Sequence, residues 1–354
     1  MNNHNQKYIL SFIAKLLDPK TAVDKFYFTS PSQIFWDGLV KMGSKHLVLP
    51  AINGALKRKK LAHHLPKDLM IFLKEISDLN YERNKAIKKQ IFFLSNILKK
   101  NKINHVFLKG AAMLIFRPFN TLEERMIGDI DILIPKHDLI KAKNILFSNG
   151  FSYLYDDDVE FTEGLKEKPK KDLNRIVHSN YIAAVELHIE PLEFKNIHHF
   201  SSELITKNII YIDGFPIPNQ MNLWRHAIFN WQYNDNGFHH NNFSFRTFMD
   251  VVHLESINFD NNSIIQPSIV HFYSLCSLFI PRYENRNYIS STIYNYKILF
   301  PKLEIVSNYI NKCINRILTI LDRLILLLKS KTYRQRIFQN PKLFFKKITY
   351  FLGK

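Results

Sequence analysis

The sequence predicts an α+β fold, a mixed β-sheet flanked by helices with helical regions before and after it. Leu79, Ala86, Ile87, Ile91, Leu94, Ile97 and Leu98 fall at helical spacing. Three short runs, Val106–Leu108, Gly128–Ile134 and Ala184–Ile189, read instead as strands, two of them with a period of two. From residue 192 onward the pattern turns helical again.

Taken in order, residues 1–100 read as a helical N-terminal cap. Ser30-Pro31 is a helix-start signal with proline in the first turn, followed by Ile34, Phe35, Leu39 and Val40. The 79–98 helix carries Arg83, Lys85, Lys88 and Lys89 on its polar face, the pattern of a solvated surface.

Residues 101–195 form the expected core. It begins with a strand at Val106–Leu108, a turn at Lys109–Gly110, and a helix from near Ala111. A loop then leads to the Gly128–Ile134 strand, where Asp129 and Asp131 share one face and Ile130, Ile132 and Ile134 the other. Asp138 is placed to cap a helix over Leu139–Leu146, with Gly150 closing it. Ser152–Tyr155 reads as a strand, and Asp156–Asp172, dense in both charge signs, as a loop or irregular hairpin. In the Ala184–Ile189 strand, Glu186, His188 and Glu190 alternate with Val185, Leu187 and Ile189.

Residues 196–328 form a helical C-terminal region, punctuated by Asp213-Gly214, Pro216 and Pro218. Arg246 and Asp250 stand four apart, the spacing of a local ion pair on one helix face. Residues 329–354 form a basic tail with eight Lys/Arg and no acid, interleaved with aromatics. That composition suits an anionic membrane surface or RNA, and equally a flexible solvated tail.

Composition narrows the classes. A formal charge of +18, from 49 basic and 31 acidic residues, favours polyanionic partners. Cys276 and Cys313 cannot build a disulfide framework, which fits a reducing cytoplasm. No signal peptide and no spanning helix are expected. Ile314–Leu328 comes closest, interrupted by Asn315, Arg316, Asp322 and Arg323. The pairs His198-His199 and His239-His240 lack zinc-site spacing, so no structural zinc is expected.

The chemistry gathers at 105–135. Two carboxylates about 7 Å apart along one strand repel unless a cation lies between them. Mg²⁺ takes one or two carboxylates plus substrate phosphates. Gly110 permits close backbone approach, and the following helix start favours an anion. Singly, D-x-D is also a solvated edge pair and K-G an ordinary turn.

Together, Leu108-Lys109-Gly110 and Arg125-Met126-Ile127-Gly128-Asp129-Ile130-Asp131-Ile132-Leu133-Ile134 resemble the polymerase-β-type nucleotidyltransferase superfamily. The likeness is to a bacterial branch with "LKG" for the usual Gly-Ser. Glu186-Leu187-His188, His226 and the Arg246…Asp250 spacing are similar to that branch as well. The resemblance implies a nucleotidyltransferase-type sheet and transfer of a nucleoside monophosphate from an NTP to an acceptor, with two Mg²⁺ ions. It implies Asp129, Asp131 and Glu186 as metal-holding and catalytic residues, and Lys109, Gly110 and Arg125 as nucleotide-binding. His188 and Arg246 would be accessory.

Lys109 departs from the superfamily's serine, and the spacer from Gly110 to Asp129 is longer than in minimal members. The acceptor stays open: a small molecule, sugar phosphate, peptide, protein or RNA end. An antitoxin-like or non-catalytic partner-binding module on the same fold is the second reading, and a D-x-D glycosyltransferase the third.

Overall fold

A computed structural model of the chain describes residues 3–28, 31–154, 173–255 and 266–329, together with 334, 335, 337, 338 and 341. Two compact units divide the chain. One comprises Met1–Leu154 with Lys171–Leu299, the other Tyr155–Lys170 with Phe300–Lys354.

In the first unit, helices α1 (Asn3–Leu17), α2 (Gln33–Lys45), α3 (Leu49–Arg58) and α4 (Lys67–Lys100) precede the sheet. Strand β1 (Val106–Phe107) leads into α5 (Lys109–Phe116), and β2 (Asp129–Leu133) into α6 (Leu139–Ser148). Then come β3 (Phe151–Tyr153), β4 (Ile176–His178) and β5 (Ala184–His188). A short helix α7 (Ser202–Thr206) is followed by a hairpin of β6 (Ile209–Ile212) and β7 (Phe215–Pro218). Helices α8 (Gln220–Phe229), α9 (Phe245–Leu254), α10 (Pro267–Cys276) and α11 (Tyr288–Leu299) complete it.

The five-stranded sheet has the order β1-β2-β5-β4-β3. Only β2 and β5 run parallel, so the sheet is mixed and the fold α+β, as the alternating patterns predict. The three strands expected from sequence are adjacent. Ile130, Ile132, Val185 and Leu187 are fully buried on the core side.

The buried row of α4 explains how the sheet's approach loop is held. It reads Leu69, Leu73, Ser77, Asn80, Asn84, Ile87, Gln90, Ile91, Leu94, Ser95, Leu98, an unbroken helical stripe with five polar members. All five meet polar groups, Ser95 through the His105 ring. Asn53 donates to the Ser77 hydroxyl, Asn84 donates to the carbonyls of Leu122 and Arg125, and Asn80 donates to the carbonyls of Glu123 and Arg125. Gln90 exchanges hydrogen bonds with both backbone groups of Ala183, just before β5. An irregular buried segment leaves carbonyls without ladder partners, and amide side chains supply them.

Several local expectations are corrected. Helix α4 starts at Lys67, twelve residues before the expected run at 79–98, with Leu69 and Leu73 opening its buried stripe. Arg83, read as solvated, donates to the carbonyls of Ile127 and Gly128. Helix α2 starts at Gln33 with Ser32 in the N-cap position, leaving Pro31 outside the helix. Helix α5 starts at Lys109, two residues before the expected Ala111, and the expected turn is made by Lys109 itself, with φ +45°.

Asp138 stands before α6 without a side-chain cap bond. Its φ of −95° and ψ of −6° lack the extended backbone a cap needs. Gly150 closes α6 with φ +90°, as expected. Strand β3 begins one residue early, and β4 was not foreseen. The segment Asp156–Asp172 and most of the basic tail lie outside the described residues.

In the second unit, α12 (Pro301–Lys329) exposes Ile310, Ile314, Ile317, Leu321, Leu324 and Leu328 along one side. Among the described residues, no helix is long and apolar enough to cross a membrane.

Replacing Asn84 by Leu should cost about 1–3 kcal/mol, because the Leu122 carbonyl loses its donor and the Arg125 carbonyl keeps only Asn80. Lys85→Ala, on the exposed side of the same helix, should stay within about 0.5 kcal/mol. Urea unfolding of the two variants measures the contrast.

Candidate functional site

Parallel pairing of β2 with β5 sets Asp131 opposite Glu186 and Leu133 opposite His188. Asp131, Glu186 and His188 therefore rise from the same face of adjoining strands. One ligand atom from each of these three lies within 4.8 Å of the others.

Around them runs a chain of alternating charges. Lys109 Nζ donates to Asp131 Oδ1 at 2.6 Å, and His188 Nε2 donates to the same oxygen at 2.8 Å. His188 Nε2 also lies 3.4 Å from Glu186 Oε2. Arg175 Nε donates to Glu186 Oε1 at 2.6 Å, and its Nη2 donates to Asp129 Oδ2 at 3.0 Å. Asp129 thus joins the cluster through Arg175 and is not part of the three-residue group.

The strongest constraint falls on Asp131, 1% exposed. Burial pushes its carboxyl up, but the Lys109 ammonium and the His188 hydrogen bond prevail and hold it well below the usual range. An ionised carboxylate only accepts, so His188 Nε2 must carry the proton between them. Burial works against the imidazolium, yet the bonds to Asp131 and Glu186 raise the His188 pKa. Glu186, pushed up by burial and pulled down by His188 and Arg175, is held at about 2. Asp129 goes the other way: burial first, then Asp131 and Glu186, raise it against Lys109 and Arg175.

Backbone geometry aims Lys109. Leu108 is still tied to β2 through its amide on the Asp131 carbonyl, and α5 begins at the next residue. The reversal falls on Lys109, whose φ is +45°. A left-handed conformation costs a non-glycine residue about 1–2 kcal/mol, offset here by a buried ion pair. Gly110 has a packing reason to lack a side chain, since a Cβ would come within 3.0 Å of Ile127.

Arg125, expected at the nucleotide, is buried and grips Asp250 with two parallel hydrogen bonds of 2.7 and 2.8 Å. It also donates to the Met126 carbonyl. The expected local pair of Arg246 with Asp250 is not formed, because both oxygens of Asp250 go to the better-matched fork of Arg125. Arg246 lines a small cavity beside Lys109. Arg175 was missed altogether; it follows a polar segment with no motif, on an edge of sequence that gave no strand signal.

A family model described as uncharacterised nucleotidyltransferase matches residues 32–266. The chain belongs to the uncharacterised nucleotidyltransferase family. The match takes in Lys109, Asp129, Asp131, Arg175, Glu186, His188 and the Arg125–Asp250 pair, while α12 lies beyond it. Searches of curated proteins and of solved structures found no match.

For a nucleotidyltransferase, the question is whether this cluster fits a divalent ion. Asp131 Oδ2 is buried without a hydrogen-bond donor, and a ligand atom of Asp131 lies within 4.8 Å of one from Glu186. Hard cations such as Mg²⁺ take such oxygens, so the donor set fits.

Asp131 and Asp129 should respond oppositely to neutralisation in metal-free protein. Asp131→Asn leaves Lys109 and His188 without their shared partner and should destabilise by about 3 kcal/mol or more. Asp129 has a folded pKa above its unfolded value, so its ionisation opposes folding as pH rises past that value. Asp129→Asn should therefore be neutral or slightly stabilising at pH 7. Glu186 has a depressed folded pKa, so its contribution is complete above about 4.5 and is lost as pH falls towards about 2. Thermal melts from pH 7 to pH 2, repeated on Glu186→Gln, should show that acid loss flattened in the variant.

Proposed function

We propose that the protein is a Mg²⁺-dependent nucleotidyltransferase that moves a nucleoside monophosphate from an NTP to an acceptor, releasing pyrophosphate. The observation that carries this reading is the buried, donor-free oxygen of Asp131 beside Glu186 on adjoining parallel strands. The family match supports the reaction class.

Asp129, Asp131 and Glu186 would hold the metal. Magnesium, as a pair of ions about 3.5–4 Å apart in such sites, would activate the attacking oxygen and neutralise the leaving phosphates. Lys109 and Arg175 are already bonded to these carboxylates, and both are long enough to turn towards phosphate oxygens instead. His188 fixes the orientation of Asp131 from the opposite side. The first amides of α5, at Lys109, Gly110 and Ala111, have no helical acceptor of their own and suit a phosphate. A basic chain of charge +18 suits an anionic substrate in general.

A partner-binding module on the same fold is the second reading. One observation favours it: Lys109, His188 and Arg175 already hydrogen-bond to the three carboxylates, so each has a partner within the protein.

Incubation with each α-labelled NTP, Mg²⁺ and a cell extract should label an acceptor. Asp129→Asn and Asp131→Asn should each lower that labelling by at least about 10²–10³. Asp138→Asn, outside the cluster, should label as wild type does. Absence of both Mg²⁺–NTP binding and labelling in the wild type would leave the partner-binding reading standing.

A further inference from the structure

A cavity of about 60 Å³ opens between α5, α8 and α9, with Lys109, Arg125, Asn230 and Arg246 among its walls. About 10–15 Å³ of such space admits one water, so it accommodates on the order of four or five heavy atoms, the size of one phosphate group. The helix α8 runs into a π-turn at Asn230–Asn234, and that turn brings Asn230 and Asp235 to the cavity. Irregular turns of this kind recur at functional positions.

Three cations, Lys109, Arg125 and Arg246, and two carboxylates, Asp235 and Asp250, line the cavity. Lys109 is bonded to Asp131, and Arg125 to both oxygens of Asp250. Arg246 is different. Among the described residues, no group accepts a hydrogen bond from its half-buried guanidinium. Burial and the neighbouring Arg125 work against its charge, Asp250, Asp235 and Asp129 attract it from nearby, and burial prevails. An oxyanion in the cavity would satisfy it, with Thr247 and Asn230 as neutral neighbours.

We propose that this cavity is an oxyanion subsite in which Arg246 binds a phosphoryl group of the substrate. The inference rests on the nucleotidyl-transfer reading for the substrate's identity, and the cavity's own chemistry stands apart from it. The phosphoryl group has two possible sources: the terminal phosphates of the NTP, or a phosphate carried by the acceptor. Lys109, shared between the cavity and Asp131, places either source next to the carboxylates.

The test is titration of the full-length, metal-free protein with inorganic phosphate at constant ionic strength, followed by calorimetry and by Tm. Wild type should bind saturably and gain thermal stability. Arg246→Gln should weaken binding by about tenfold or more. Arg246→Lys should fall between, retaining charge without the planar fork. Arg117→Gln, a surface residue paired with Asp213, should bind as wild type does.

The four NTPs and matching NMPs then separate the sources. Weakened NTP binding with NMP binding unchanged in Arg246→Gln assigns the subsite to the nucleotide's terminal phosphates. Unchanged NTP binding with phosphate binding lost assigns it to the acceptor. No saturable phosphate binding by the wild type, or phosphate binding by Arg246→Gln equal to wild type, overturns the proposal. Should Arg246→Gln not fold, the wild-type titration and Arg246→Lys decide. Intact phosphate binding without labelled transfer would sink the transfer reading and leave the subsite in place.

Discussion

Asp131 is a carboxylate taken almost wholly out of water, and much of the surrounding structure follows from keeping it ionised. An isolated charge at that depth would be prohibitive, so it must be paired and hydrogen-bonded. Lys109 approaches from the β1–α5 junction and His188 from β5, both on Oδ1. The first requires the left-handed backbone at Lys109; the second requires the β2–β5 register that sets Leu133 against His188. A one-residue slip of that register would turn His188 and Glu186 to the opposite face and leave Asp131 with Lys109 alone.

The loop that delivers β2 is fixed from two sides. On one, Asn80, Arg83 and Asn84 of α4 hold its carbonyls, and Arg58 of α3 reaches buried Glu124 at 2.5 Å. On the other, Arg125 of the loop grips Asp250 of α9. The N-terminal helices and the C-terminal helical region are thus joined through the segment that positions Asp129 and Asp131. A site held on both flanks by buried hydrogen bonds keeps its carboxylates in place without a ligand, the preorganisation that electrostatic catalysis needs.

The cations in and around the site divide by their partners. Lys109, His188 and Arg175 hydrogen-bond to the three carboxylates, and Arg125 serves Asp250. Among the described residues, no group accepts a hydrogen bond from Arg246, whose charge Asp250, Asp235 and Asp129 attract from nearby. The hydrogen-bonded cluster of acids thus sits beside a half-buried arginine with no hydrogen-bond acceptor among the described residues.

By itself the sequence determined what depends on local period and local chemistry. Alternation around Asp129 and Asp131, and around Glu186 and His188, defined two strands, their inward faces and the carboxyl-bearing side. Helical spacing defined the regions before and after the sheet, and Gly150 the end of α6. Tertiary structure alone decided the partners. Arg125 and Asp250 are far apart in the chain, so the i,i+4 spacing of Arg246 pointed to a pair that the fold does not make. Asn80, Asn84 and Gln90 look in sequence like any solvated amides, and Arg175 like one more charge after a polar stretch. A polar side chain has the same letter whether water or a buried carbonyl satisfies it. Spacing reports which face a residue occupies, and only the packed chain reports what that face meets.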